Sequence, residues 1–310
     1  MRAVGFTRFG GPEVLEIVER PVPEPGDGEV RIRVAAATVN PTDLALRSGG
    51  HGPLTGLAPP YVPGMELAGT VDVAPAGAGY RPGERVMAIV SPRTARGGAQ
   101  AEYVVVPADS VTAVPDGMGL VEAATLPMNG LTVVRALDLL DLGPGQTLAV
   151  TGAAGAVGGY AIQLGQVAGL RVIADAYPKD SELIRRLGAD VVVPRGDEVA
   201  SAIRLATGHG ADALIDAAVM GERVLPAVRD GGQVAAVRRF AGETERSIKI
   251  VLVLVRDYLH AAGKLAELAA LAAAGRITLR VARTLPAAEA AQAHRLLEAG
   301  GVRGRLVLTF

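Results

Sequence analysis

Cysteine is absent from the 310 residues, which excludes disulfides, thiolate nucleophiles and any metal site built on thiolates. Histidine is scarce. His51, His209, His260 and His294 lie far apart and form no H-x-x-x-H pair, so each reads first as a surface or packing residue rather than a metal ligand or catalytic base. Charge of one sign is lacking too: a net charge of -1 offers no global attraction for nucleic acid or an anionic membrane. No basic run or aromatic platform suggests direct nucleic-acid binding, and a phosphate would have to be met locally. There is no run of about 20 uninterrupted apolar residues, and Met1 to Gly11 has no apolar core of signal-peptide length. A cytoplasmic protein is expected.

What the chain does have is a short apolar strand that empties into a glycine-rich turn and a helix, Leu148-Ala-Val-Thr-Gly152-Ala-Ala-Gly155-Ala-Val-Gly158-Gly159. A helix N-terminus turns amide donors and a partial positive charge toward a pyrophosphate, and small residues let the backbone come close. Ala153 stands where the usual fingerprint has its first glycine, so the match is A-x-G-x-x-G. The context carries the assignment: a strand before, a helix over 156–168 after, then a second apolar strand, Leu170-Arg-Val-Ile-Ala174, ending at Asp175. A tight strand-helix turn with no ligand is the alternative. The candidate dinucleotide contacts are Ala153, Ala154, Gly155, Ala156, Val157 and Gly158, with Asp175 placed to grip ribose hydroxyls.

The length, with 49% apolar and 20% charged residues, allows two domains. Short alternating runs such as Glu29-Val-Arg-Ile-Arg-Val34, separated by Pro and Gly clusters at 21–28 and 58–64, predict a compact β-rich unit. From Leu120 strands alternate with helices. Strands are expected at 147–151, 171–174, 191–193, 213–216 and 233–237, and helices at 156–168, 180–187, 199–207 and 221–228. That pattern gives a parallel sheet covered on both faces. Ile248 to Val255 is β-branched and nearly all apolar, so it reads as an edge strand needing a partner. The partner is either the same strand of a second subunit, giving a homodimer, or the rest of its own chain. A helix over 259–274, a strand over 278–284, a helix over 286–299 and a strand over 304–310 close the chain. The return to β structure implies domains of 1–119 with 256–310, and 120–255.

Several further motifs stand in order: Asn40-Pro-Thr-Asp43, Arg47-Ser-Gly49, Val62-Pro-Gly-Met-Glu66-Leu-Ala-Gly69, Asn129-Gly-Leu-Thr132 and Leu187-Gly-Ala-Asp190. With the glycine turn they resemble, essentially end to end, the zinc-independent quinone oxidoreductase branch of the medium-chain dehydrogenase/reductase superfamily. The resemblance implies an α/β chain, a GroES-like catalytic domain interrupted by a Rossmann domain, with nicotinamide in the cleft between them. Asn40 and Met65 stand where the zinc alcohol dehydrogenases carry metal ligands, and the cysteine-rich lobe is missing, so no zinc is expected. Without a Lewis acid to polarise an alcohol, hydride transfer from NAD(P)H to an electron-poor quinone or enone is the expected chemistry.

By the same resemblance Asn40 sits beside the nicotinamide ribose or the substrate carbonyl, where a neutral amide can donate to a developing oxyanion. Its alternative is an Asx turn ahead of Pro41, and Asp43 is expected to fix that loop. Thr125, Asn129 and Thr132 look like nicotinamide-side contacts, with N-capping of a helix as their other role. Ala217, Ala218, Val219, Val237 and Arg238 follow strand ends and are placed to line the cofactor crevice. His51 and Tyr61 are the candidate proton donors of the pocket, and Ala45 replaces the family's common active-site tyrosine. Lys179 and Arg195 argue for the 2'-phosphate of NADPH against Asp175, which argues for NADH. Rival readings are an enoyl-reductase of a biosynthetic pathway, which a basic patch at the pocket would favour, and a catalytically silent NADPH-binding or sensing protein.

Overall fold

Alternation of period two builds the first strands. The computed structural model describes residues 1–240 and 242–310. Strands β1 (Arg2–Gly5) and β2 (Glu16–Glu19) form a small antiparallel pair. In β3 (Glu29–Val39), Val30, Ile32 and Val34 are buried while Arg31 and Arg33 face outward. Helix α1 (Pro41–Ser48) begins where Pro41 fixes φ and ends at Gly49, whose φ of 81° supplies the left-handed cap. Strands β4 (Glu66–Val73), β5 (Arg85–Ile89), β6 (Tyr103–Pro107) and β7 (Val111–Ala113) follow, then the short helix α2 (Leu120–Ala123).

The chain divides into two compact units, Met1–Met128 with Arg256–Ala273 and Leu279–Phe310, and Asn129–Val255 with Ala274–Thr278. The change in periodicity suggests a crossing at 119/120. The crossing falls nine or so residues later because α2 packs on β3, β4 and β5 of the first unit. Helix α3 (Pro127–Leu140) carries the chain onward. The second unit then runs β8 (Thr147–Thr151), α4 (Ala156–Val167), β9 (Arg171–Ala176), α5 (Ser181–Arg186), β10 (Val191–Pro194), α6 (Val199–Thr207), β11 (Ala211–Asp216), β12 (Val228–Ala236) and β13 (Lys249–Leu252). All of its strand pairs are parallel, in the order β10-β9-β8-β11-β12-β13. The sequence winds one way from β8 to β10 and the other way from β11 to β13, which puts a topological switch point between β8 and β11. Alanine, valine, isoleucine and leucine side chains from β8, β9, β11 and β12 pack with α6 into one core.

Some expected elements differ. The helix expected over 221–228 is a run of 3-10 turns over Gly221–Ala227, because Pro226 has no N–H to give an α-helix, and extended structure resumes at Val228. Only Lys249–Leu252 of the expected 248–255 strand pairs with β12, and a 3-10 turn takes over at Val255–Tyr258. The last elements are α7 (Ala262–Ala273), β14 (Val281–Pro286), α8 (Ala290–Glu298) and β15 (Arg305–Thr309). Strand β15 lies between β14 and β3 in a seven-stranded sheet of the first unit, so the C-terminal segment returns to the β-rich part. No described helix is long and apolar enough to cross a membrane.

Candidate functional site

The glycine turn sits at the end of β8, beside the switch point. Gly152 has a φ of 68°, and a Cβ there would lie 2.9 Å from the backbone of Ala217 and of Ala218, so the turn is pressed against the loop after β11. A Cβ on Gly158 would come within 2.4 Å of the Gly152 carbonyl oxygen. Helix α4 can approach the strand this closely only because position 158 is glycine. Gly155 caps α4, donating its N–H to the Gly152 carbonyl at 2.9 Å. Having no side chain, it leaves the first-turn amides that follow without a side-chain cap. This cradle fits a pyrophosphate: small residues, a helix N-terminus and a backbone that a Cβ would obstruct.

Asp175, at the end of β9, is almost wholly buried. Its Oδ1 accepts the Ala153 N–H at 2.9 Å, and its Oδ2 pairs with the Arg195 Nη1 at 2.9 Å. The carboxylate and the guanidinium, set against each other in the sequence, are thus partners here. Arg195 also stacks on Tyr177, 5.6 Å from the ring centroid, and keeps a third of its side chain exposed. Lys179 is exposed on the neighbouring 3-10 turn.

Across the switch point, Asp216 organises the end of β11. Its Oδ1 accepts the Thr151 hydroxyl at 2.8 Å, and its Oδ2 accepts the N–H groups of Met220 and Gly221 at 2.7 and 3.0 Å. The loop held this way carries Val219 at a φ of 57°, a strained conformation for a β-branched residue, with 48% of the side chain exposed. A cavity of about 300 Å³ opens beside it, with Val237 and Arg238 in its lining. Val219, Val237 and Arg238 are therefore brought together. Ala217 and Ala218 lie against Gly152, and the Ala218 N–H reaches the Thr151 hydroxyl at 3.4 Å.

In the first unit Asn40 is fully buried and its amide is committed. Nδ2 donates to the Thr38 Oγ1 and the Glu66 Oε1 at 3.2 and 3.3 Å, while Oδ1 accepts from the Arg305 Nη2 at 2.7 Å. Arg305 and the Thr38 hydroxyl both donate to Glu66, whose other oxygen accepts the Met128 N–H at 2.7 Å. The Glu66–Arg305 ion pair is buried and well supplied with hydrogen bonds, the condition under which such a pair is tolerated. Asn40, committed to Thr38, Glu66 and Arg305, does not fit a zinc site, and the thioether of Met65 is not among the usual zinc ligands. Among the described residues no group of three or more His, Cys, Asp or Glu side chains is arranged to hold a metal ion.

Asp43 takes the Asn40 N–H at 2.8 Å and the Gly64 N–H at 2.9 Å, tying α1 to the loop before β4. Burial pushes its carboxyl up to about 7, with Glu66 adding to the rise, against the pull of both amides and of Arg305. His51 is exposed, its Nε2 2.8 Å from the Thr42 Oγ1, and Arg93 holds its carbonyl. Tyr61 stacks with Phe9, the rings 4° from parallel, and its hydroxyl donates to the Leu57 carbonyl at 3.4 Å. Ala45 is half-buried on α1. Thr125 donates its hydroxyl to the Glu122 carbonyl at 2.7 Å. Asn129 and Thr132 lie buried within α3 rather than at its N-cap. The residues missed as partners are Glu66, inside the Val62 to Gly69 motif, and Arg305, inside the expected strand over 304–310. The signal was a charged residue in an otherwise apolar strand.

Residues 26–116 match the model of the alcohol dehydrogenase GroES-like domain, and residues 187–308 match that of the zinc-binding dehydrogenase family. The chain is 32% identical over 226 residues to the quinone-oxidoreductase QR1 of Triphysaria versicolor, covering 70% of this chain and 68% of that one. It is 31% identical over 245 residues to an NADPH-dependent alkenal/one oxidoreductase of Arabidopsis thaliana, covering 76% and 62%. A crystal structure of an NAD-dependent alcohol dehydrogenase superposes with a TM-score of 0.89 at 32% identity, covering 100% of both chains.

Proposed function

This chain belongs to the quinone oxidoreductase branch of the medium-chain dehydrogenase/reductase superfamily, and from that membership we propose that it is an NADPH-dependent reductase of quinones or α,β-unsaturated carbonyl compounds. The observation that carries the reading is the cradle of Gly152, Gly155, Gly158 and the α4 N-terminus at the switch point. A reduced nicotinamide dinucleotide held there by its pyrophosphate would supply a hydride. Everything else falls to the chain. The α4 amides meet the pyrophosphate, and Asp175 fixes the turn by holding the Ala153 N–H. Since both carboxylate oxygens of Asp175 are engaged and its charge is matched by Arg195, the ribose end offers a 2'-phosphate the exposed part of Arg195 and Lys179 with little repulsion.

Asn40 acts as a positioning residue, because its donors are already spent on Thr38 and Glu66. No step runs through a metal. Hydride adds to the β-carbon of an enone, the alkene pair shifts to join the α-carbon and the carbonyl carbon while the carbonyl π pair moves to oxygen, and water protonates the α-carbon of the resulting enolate to give the saturated product. The acceptor's conjugation spreads the developing charge, so positioning supplies most of what catalysis needs.

The test is a fluorescence titration with NADPH and NADH, followed by addition of 9,10-phenanthrenequinone and a simple enone. Expected are tighter NADPH binding, acceptor-dependent oxidation, and a tenfold or greater rise in the NADPH Kd for Arg195→Ala. A preference for NADH would hand the ribose site to Asp175. Saturable binding with no turnover would leave a nucleotide-sensing protein.

A further inference from the structure

We infer that the cavity beyond β11 and β12 binds an anionic group of the acceptor through Arg238 and Arg239, so that the substrate is a conjugated carbonyl compound carrying a carboxylate or a phosphate. The inference rests on the reductase reading above and names its substrate class. The cavity, about 300 Å³, has Val219, Met220 and Phe240 as apolar wall and Arg223, Arg238 and Arg239 as cationic lining. That is the volume and the mixed lining of a small-molecule site.

The cavity shares Val219, Val237 and Arg238 with the expected cofactor crevice, and three observations separate its arginines from the anion sites proposed for the cofactor. The pyrophosphate cradle follows β8, and the 2'-phosphate candidates Arg195 and Lys179 follow β10 and β9. Strand β12 lies two places from β8 on the opposite side from β9, on the order of 10 Å from the cradle strand and about 14 Å from β9 at ordinary strand spacing. Arg238 and Arg239 form neither ion pair nor hydrogen bond through their guanidinium groups with any described residue.

The acids of the cavity do not neutralise the pair. Asp216 is committed to Thr151 and to two backbone amides. Glu222 is a single exposed charge against two guanidinium groups, and Arg223 has its own acid in Asp197 at 3.7 Å. Adjacent, uncommitted arginines beside an apolar wall match a ligand with an apolar body and a planar or tetrahedral anion at one end, because the guanidinium fork recognises both anions in bidentate fashion.

Initial rates at saturating NADPH on 4-oxopent-2-enoate, its methyl ester and crotonyl-coenzyme A test this. The ester keeps the enone and is the more electron-poor, so intrinsic reactivity favours it. The expected result is a kcat/KM at least tenfold higher for the acid or the thioester, carried by KM, which of the two distinguishing a carboxylate from a phosphate source. In the Arg238→Met/Arg239→Met double variant that preference falls tenfold or more, and the double Lys variant keeps part of it. An ester used as well as both anions, or a preference the Met variant leaves intact, overturns the inference. If none of the three is reduced although 9,10-phenanthrenequinone is, the inference is overturned; if the quinone is not reduced either, the reductase reading fails, and calorimetry with 4-oxopent-2-enoate and coenzyme A on the NADPH-loaded protein decides the anion site. Saturable binding of an anion that the Met variant loses supports the site, and no binding ends it.

Discussion

Gly155 and Gly158 are three residues apart and answer to different demands. A Cβ on Gly158 meets backbone at 2.4 and 2.6 Å, atoms that cannot step aside, whereas a Cβ on Gly155 meets only the Gly152 carbonyl at 3.1 Å. Gly158→Ala should therefore cost about 2–4 kcal/mol of stability, the range of severe overpacking. Gly155→Ala should stay within about 1 kcal/mol of the parent and raise the NADPH Kd tenfold or more, since it puts a methyl group on the residue that caps α4 beside the proposed pyrophosphate cradle. Thermal melts and fluorescence titrations of the two variants check this, and the reverse pattern would remove the cradle from the cofactor site. These glycines were legible because the motif is contiguous. The commitment of the Asn40 amide was not, since Glu66 and Arg305 are 26 and 265 residues away and meet it only once β15 has paired with β3. Asp175 and Arg195 were visible as charges near the expected ribose site, but nothing local says that opposing charges 20 residues apart will form a pair.

At the scale of elements, type was more legible than extent. Strands β8 and β9 and helices α4 and α6 sit within a residue or two of where periodicity places them, because each has a strong pattern and a clear stop. The stretch over 221–227 misleads because its apolar spacing is helical while Pro226 withholds an N–H. Strand β13 is shorter than its apolar run, since only four residues find partners on β12. It is the outermost strand, with Leu252 43% exposed, and a bare parallel edge of this kind invites pairing with another copy. We propose that two chains pair through β13, as the hydrophobic edge suggests. Light scattering should then return the mass of two chains, and Leu252→Lys should move it toward one with the far-UV spectrum unchanged. A single-chain mass for the parent would mean that the run is apolar for its own unit's core, where Ile248 and Ile250 already pack.

Over the whole molecule, two buried groups titrate in opposite senses. His294 on α8 is buried, neither ring nitrogen has a hydrogen-bond partner among the described residues, and burial together with the nearby Arg47 charge lowers it to about 3. The unfolded chain takes up that proton near pH 6.5, so the stability His294 contributes is present above pH 6.5 and lost as pH falls toward 3. Asp43 is the reverse. Its folded value of about 7 exceeds the unfolded 3.8, so its contribution is full below pH 3.8 and lost as pH rises toward 7. Between those limits the unfolded state holds one extra proton on His294 and the folded state one on Asp43, and the two slopes cancel. Removing either exposes the other. Asp43→Asn should make stability rise with pH, relative to the parent, by about 1.4 kcal/mol per unit between pH 4.5 and 6. His294→Leu should make it fall by a similar amount. Both variants lose or gain something constant in pH, Asp43→Asn through a weakened grip on the Asn40 and Gly64 amides, so the slope rather than the level carries the test. Urea unfolding at a series of pH values reads that slope directly, and parallel curves for parent and both variants would show that neither group is held away from its ordinary titration.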